Sequence, residues 1–191
     1  MWEQSDREII QEVLNGNKDL FAVLVARYEK PIFNYVYGLV RQKQDAEDLT
    51  QEAFVKAFFA LKTYKDSFEF STWMYRIARN VCLDYFRRQK IRSFFSLNTP
   101  VGEEEEDEFG DFLPEGKDPE EGVLKEELLE RVSQAVGRLP LKFREVIVLR
   151  YVEELSYEEI ARILDVPVGT VKTYLHRAKA KLRELLGEEF S

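Results

Sequence analysis

The stretch "SYEEIARILDVPVGTVKTYLHRAKAKL", Ser156–Leu182, sets a short helical pattern and a longer one on either side of a tight turn. Ser156 and Glu159 stand at capping-box spacing, so a helix is predicted to open at Tyr157. Tyr157, Ile160, Ala161 and Leu164 recur on its inward face. Asp165 falls where the chain must turn sharply, and aspartate tolerates the left-handed conformation better than most residues. Pro167 then restarts a helix whose inner stripe is Val171, Leu175, Ala178 and Leu182. Short helix, tight turn and longer helix make a helix-turn-helix. The outer face of the second helix offers Lys172, Thr173, His176 and Arg177. Lys172 to Arg183 holds five basic residues and no acidic one. Such side chains suit base edges and phosphates in a major groove. A helical hairpin with a merely solvated basic face fits the same pattern.

Outward from this unit the charge is uneven. The 191 residues carry 28 Lys and Arg against 36 Asp and Glu, net −8. Residues 1–92 and 131–191 are each close to neutral, so the acidity belongs to the segment between them. That segment includes "NTPVGEEEEDEFGDFLPEGKDPEEG", rich in Pro, Gly and carboxylates, which cannot bury enough apolar surface to offset the entropy of ordering. Residues 93–118 are therefore expected to form an acidic flexible linker, most simply a solvated spacer between a module over 1–92 and another over 119–191.

Both modules are expected to be helical. Ser5 and Glu8 form a second capping box, and that helix should stop near Asn15-Gly16-Asn17. Pro31 is expected to restart the chain, Asp45 to cap "AEDLTQEAFVKAFFALKTY", and Ser71 to cap "TWMYRIARNVCLDYFRRQ". Asp118-Pro119 and Pro140 open later helices. No segment alternates with the period of a half-buried strand. The fold class is all-α, two small helical domains with a C-terminal helix-turn-helix.

A second basic concentration lies between Arg76 and Arg92, where six basic residues face Asp84 alone. Phe68, Phe70, Trp73 and Tyr75 precede or adjoin it. Cations interleaved with aromatics suit single-stranded nucleic acid, with bases stacking on rings. Packing is the expected role of Trp73, while Phe68 and Phe70, in the interruption "KDSFEF", are the candidates for a functional loop.

Other classes are weakly supported. The one cysteine, Cys82, excludes an internal disulfide. There is no secretory leader pattern and no apolar run of membrane length, so a soluble, cytoplasmic protein without membrane insertion is expected. One histidine and no Gly-rich phosphate loop leave no catalytic spacing, no metal site and no cofactor to propose. A nucleic-acid-processing enzyme using the Asp45–Glu52 carboxylates for metal would need more converging oxygens.

Three separated motifs, "DAEDLTQEAFVKAF" at 45–58, "FSTWMYRIARNVCLDYFRR" at 70–88 and "LPLKFREVIVLRYVEELSYEEIARILDVPVGTVKTYLHRAKAKL" at 139–182, resemble the sigma-70 family of RNA polymerase sigma factors, in its small extracytoplasmic-function group. The resemblance implies a transcription initiation factor, not an enzyme, that binds core RNA polymerase through its clamp coiled coil and flap, directs it to promoters and assists melting. It assigns Asp48, Gln51 and Glu52, with Asp45 and Leu49 nearby, to the polymerase interface. It assigns Phe68, Arg76 and Asn80 to the −10 element, and Thr170, Lys172, Thr173, His176 and Arg177 to the −35 element. It leaves an anti-sigma factor open as a further partner. The alternative is a helix-turn-helix regulator that acts on DNA without being a polymerase subunit.

Overall fold

The computed structural model describes residues 4–96 and 119–188, with side chains described for 4–91 and 128–187. Every regular element among the described residues is helical. The N-terminal module contains α1 (Asp6–Leu14), α2 (Phe21–Val40), α3 (Lys43–Ala60) and α4 (Phe70–Ser96). The C-terminal module contains α5 (Pro119–Gly137), α6 (Leu141–Ile147), α7 (Tyr157–Leu164) and α8 (Val168–Glu188), with a π-helical turn, Val148–Val152, after α6.

Local signals place most boundaries. Ser5 accepts the Glu8 amide at 3.3 Å while Glu8 accepts the Ser5 amide at 2.8 Å, the reciprocal capping box expected for α1. Asn15 ends that helix, and Gly16 takes a positive φ of 116° that a side chain would strain. Three expected starts are corrected. Pro31 lies inside the continuous α2, because Leu24 before it and Ile32, Tyr35, Val36 and Leu39 after it are buried on one packed face. The gain from that burial outweighs the lost backbone bond at proline. Asp45 is not a cap: α3 starts at Lys43 after Gln42, and Asp45 sits in the first turn, where a carboxylate favours the helix dipole. Ser71 is likewise interior, since α4 begins at Phe70, which is only 1% exposed and anchors the helix start.

In the N-terminal module α2, α3 and α4 pack together around Tyr35, Leu49, Ala53, Met74, Ala78 and Val81. In the C-terminal module α6, α7 and α8 pack through Val146, Leu149, Ile160, Val171, Leu175 and Ala178. A solvated spacer predicts two separate bodies. Instead one buried apolar cluster runs through both modules. Val148 rests directly on Gly38 of α2, and a Cβ built there would meet the Val148 methyl carbons at 2.7 and 2.9 Å. Only glycine permits that approach.

Polar groups cross the same seam. Arg79 of α4 donates to Glu145 of α6 at 2.7 Å, and Tyr75 donates to Glu153 at 2.6 Å. Arg144 donates to the carbonyls of Leu39, in the last turn of α2, and of Gly137, at the end of α5, a favourable place for a cation. The linker assigned to 93–118 continues α4 as far as Ser96. Beyond it, residues 97–118, with the run Glu103–Glu108 and the expected cap Asp118, lie outside the described residues.

Candidate nucleic-acid interface

The helix-turn-helix is held by the chemistry its sequence announces. Ser156 accepts the Glu159 amide at 3.2 Å, and Glu159 accepts the Ser156 amide at 2.8 Å. The bonds from Ser156 hold the Glu159 carboxyl below its ordinary value. Asp165 adopts the left-handed conformation, φ 57° and ψ 51°, and the Val166 amide closes the turn on the Ala161 carbonyl at 3.1 Å. Packing of Ile160, Ile163 and Leu164 against Val171, Leu175 and Ala178 then fixes which face of α8 points outward.

On that face Lys172, Thr173, His176 and Arg177 are exposed and Thr170 is half-buried. No ion pair ties Lys172, His176 or Arg177 to another described residue. The Thr173 hydroxyl donates to the Gly169 carbonyl at 2.9 Å, which leaves its lone pairs and methyl group for an outside partner. Further along, Lys179 lies over the Tyr151 ring at 5.3 Å and Lys181 pairs with Glu184 at 3.8 Å, so those cations are partly committed.

The second surface lies where the loop between α3 and α4 meets α4. Phe68 is 41% exposed, and the Arg76 guanidinium sits 5.2 Å from its ring centre. Tyr64 fixes the loop by donating to the Phe68 carbonyl at 2.7 Å, and Arg7 reaches it through Asp66 at 2.8 Å. Asn80, one turn along α4 from Arg76, is exposed. A pocket of about 360 Å³ opens beside Phe68, walled by Ser5, Asp6, Arg7, Tyr64 and Arg162. Phe70, offered with Phe68 as a functional-loop aromatic, is corrected to core: it packs among Tyr28, Tyr64 and Trp73 in tilted and edge-on contacts. Two positions apart at a helix start, the two rings point different ways, and the apolar floor claims the second.

The third candidate set lies on α3. Asp48 and Gln51 are exposed. Glu52 is half-buried and paired with Lys56 at 2.7 Å and Arg88 at 3.6 Å. Asp45 accepts the Tyr85 hydroxyl, which ties α3 to α4. Leu49 is 4% exposed and belongs to the core, so it can position this face but not touch a partner. The same outer stripe continues through Val55 (56% exposed) and Phe59 (78% exposed), which the sequence reading did not single out. Their signal was available: two apolar residues at the next helical spacings after Asp48 and Gln51. Arg162 was also missed, and nothing local to it points to a pocket formed by the other module.

Comparison with known proteins gives a consistent result. The family described as Sigma-70 region 2 matches residues 24–91, and Sigma-70, region 4 matches residues 129–182. The chain is 37% identical over 184 residues to the ECF RNA polymerase sigma factor SigW of Bacillus subtilis, covering 96% of this chain and 98% of that one. It is 38% identical over 175 residues to the ECF RNA polymerase sigma-E factor of Escherichia coli, covering 92% and 91%. Among solved structures, CnrH in complex with the cytosolic domain of CnrY superposes with a TM-score of 0.68 at 27% identity, over 97% of this chain and 99% of that one. No described helix is long and apolar enough to cross a membrane.

Proposed function

This chain belongs to the sigma-70 family, in its extracytoplasmic-function group, and from that premise we propose how its surfaces divide the work of directing RNA polymerase to promoters. The N-terminal module, 1–92, binds core polymerase and handles the −10 element; the C-terminal module, 119–191, reads the −35 element. On α8, Lys172, Thr173, His176 and Arg177 enter the major groove, with Thr170 at the helix start near the backbone. Beside α4, Phe68 stacks on an unpaired base while Arg76 and Asn80 hold its strand and polar edge. On α3, Asp48, Gln51 and Glu52 meet the polymerase clamp, and Val55 and Phe59 extend that contact with apolar area. None of these roles requires a catalytic group, because base pairing is broken by binding one strand in preference to two.

The observation that carries this reading is the exposed Lys172 and Arg177 on α8, without ion pairs to other described residues and displayed by a helix-turn-helix within the residues matching region 4. Its test is a promoter library transcribed by core polymerase with the full chain. Start sites should share an upstream and a downstream motif, and Arg177→Ala should change the first motif while leaving the second. Identical motifs from wild type and variant would remove α8 as the reader.

A further inference from the structure

The two DNA-facing surfaces differ in one respect. On α8 Lys172 and Arg177 are exposed and form no ion pair with another described residue, whereas Arg76 is spent within the molecule. Its Nε and Nη2 donate to the Arg162 carbonyl in α7 at 2.8 and 2.5 Å. Arg162 also walls the pocket beside Phe68. A second cleft of about 570 Å³ runs between Phe68 and Arg76 on one side and the α7–α8 turn on the other, so a strand approaching Phe68 meets the C-terminal module.

We propose that packing of α7 against α4 withholds the Phe68–Arg76 cleft from an unpaired strand while leaving α8 open to duplex, so that the free chain presents one promoter-reading surface and not the other. This rests on the assignment of the two surfaces above. The seam is mixed, apolar where Val148 meets Gly38 and polar beside it. It carries the Arg79–Glu145 and Tyr75–Glu153 contacts, and the buried Tyr35 hydroxyl within it has no hydrogen-bond partner among the described residues. Buried ionic groups lose hydration on closing and regain it on opening, so such a seam closes with a smaller net gain than an apolar one of equal area. Asn80 stays exposed throughout, so parting the modules restores Arg76 to a surface already half displayed.

Gly38 and Val148 supply the test. A Cβ built on Gly38 lies 3.4 Å from the Val148 Cβ, close to the separation of about 3.5–4.5 Å that a disulfide spans. The full chain with Gly38→Cys and Val148→Cys should therefore staple shut on oxidation. Cys82 is buried, and burial pushes its thiol up to about 12, so it stays out of exchange. Binding is read by fluorescence anisotropy with two probes, a labelled random-sequence single strand and its duplex. The oxidised chain should bind the single strand about tenfold or more weakly than the same chain reduced, because apparent affinity falls with the competent fraction. Duplex binding should be unchanged.

Gly38→Ala works in the opposite direction. Its methyl group collides with Val148 in the closed arrangement, while alanine favours α2 itself. It should tighten single-strand binding severalfold and leave duplex binding alone. A staple that does not form under oxidant, or single-strand binding equal in oxidised and reduced chains, overturns the inference. A reduced chain and Gly38→Ala variant that bind neither probe would instead remove the surface assignment beneath it.

Discussion

Arg177→Ala should relax base preference at one or two positions of the upstream element, at a cost of about 1–3 kcal/mol if its contact is bidentate to guanine. Lys172→Ala should weaken all sequences alike and flatten the salt dependence, as loss of a phosphate contact does. A library profile with the two variants' effects exchanged would reverse their roles. On α3, Asp48→Arg and Phe59→Ser should each reduce retention of core polymerase without lowering the melting temperature, because both side chains are exposed. Unaltered retention in both would take the α3 face out of the interface. At this scale the sequence was informative where one residue does one local job. Both capping serines and Asp165 are read correctly because their partners lie within a few residues. Leu49 and Phe70 were harder: each adjoins a candidate segment, and only the packed helices reveal that each points inward.

Among the elements, the contact between α4 and the π-helical turn has a pH dependence of definite sign. Burial pushes the Glu153 carboxyl up from 4.5 to about 7, against the hydrogen bond from Tyr75, with Asn34 of α2 beside it. Burial also raises Glu145, opposed by Arg79, with the Tyr35 hydroxyl and Cys82 thiol nearby. Both groups hold protons more tightly when the modules are closed. Their stabilisation of the closed form is complete below the ordinary carboxyl value and is lost as pH rises through the raised one, about 7 for Glu153. Small-angle scattering of the full chain should therefore show the radius of gyration growing as pH rises toward and past neutrality. Glu153→Gln should flatten that rise, and an equal rise in the variant would assign it elsewhere. The helices themselves were legible from apolar periodicity, and their ends less so. Pro31 reads as a boundary because proline breaks isolated helices, yet α2 runs through it on the strength of burial that only the assembled fold supplies.

For the whole molecule, the division into two helical modules was legible in the charge pattern, since each is nearly neutral and the acidity falls between them. Their packing on each other was not. Val148 is as apolar as any core residue, and Gly38 looks like any helical glycine, so neither names its partner 110 positions away. The linker adds its own expectation. Replacing Glu103–Glu108 by Ser and Gly should raise duplex affinity at low salt, because a tethered acidic run competes with phosphates for the α8 cations. Unaltered affinity across a salt series would leave the run a plain spacer. The central claim is that this chain supplies polymerase with its promoter choice through two surfaces. Its most direct measurement is start-site sequencing from core polymerase reconstituted with the full chain on fragmented genomic DNA. The account predicts starts absent with core alone, each preceded by the same two motifs at a near-constant spacing. Starts identical to those of core alone, or starts sharing no motif, would contradict it.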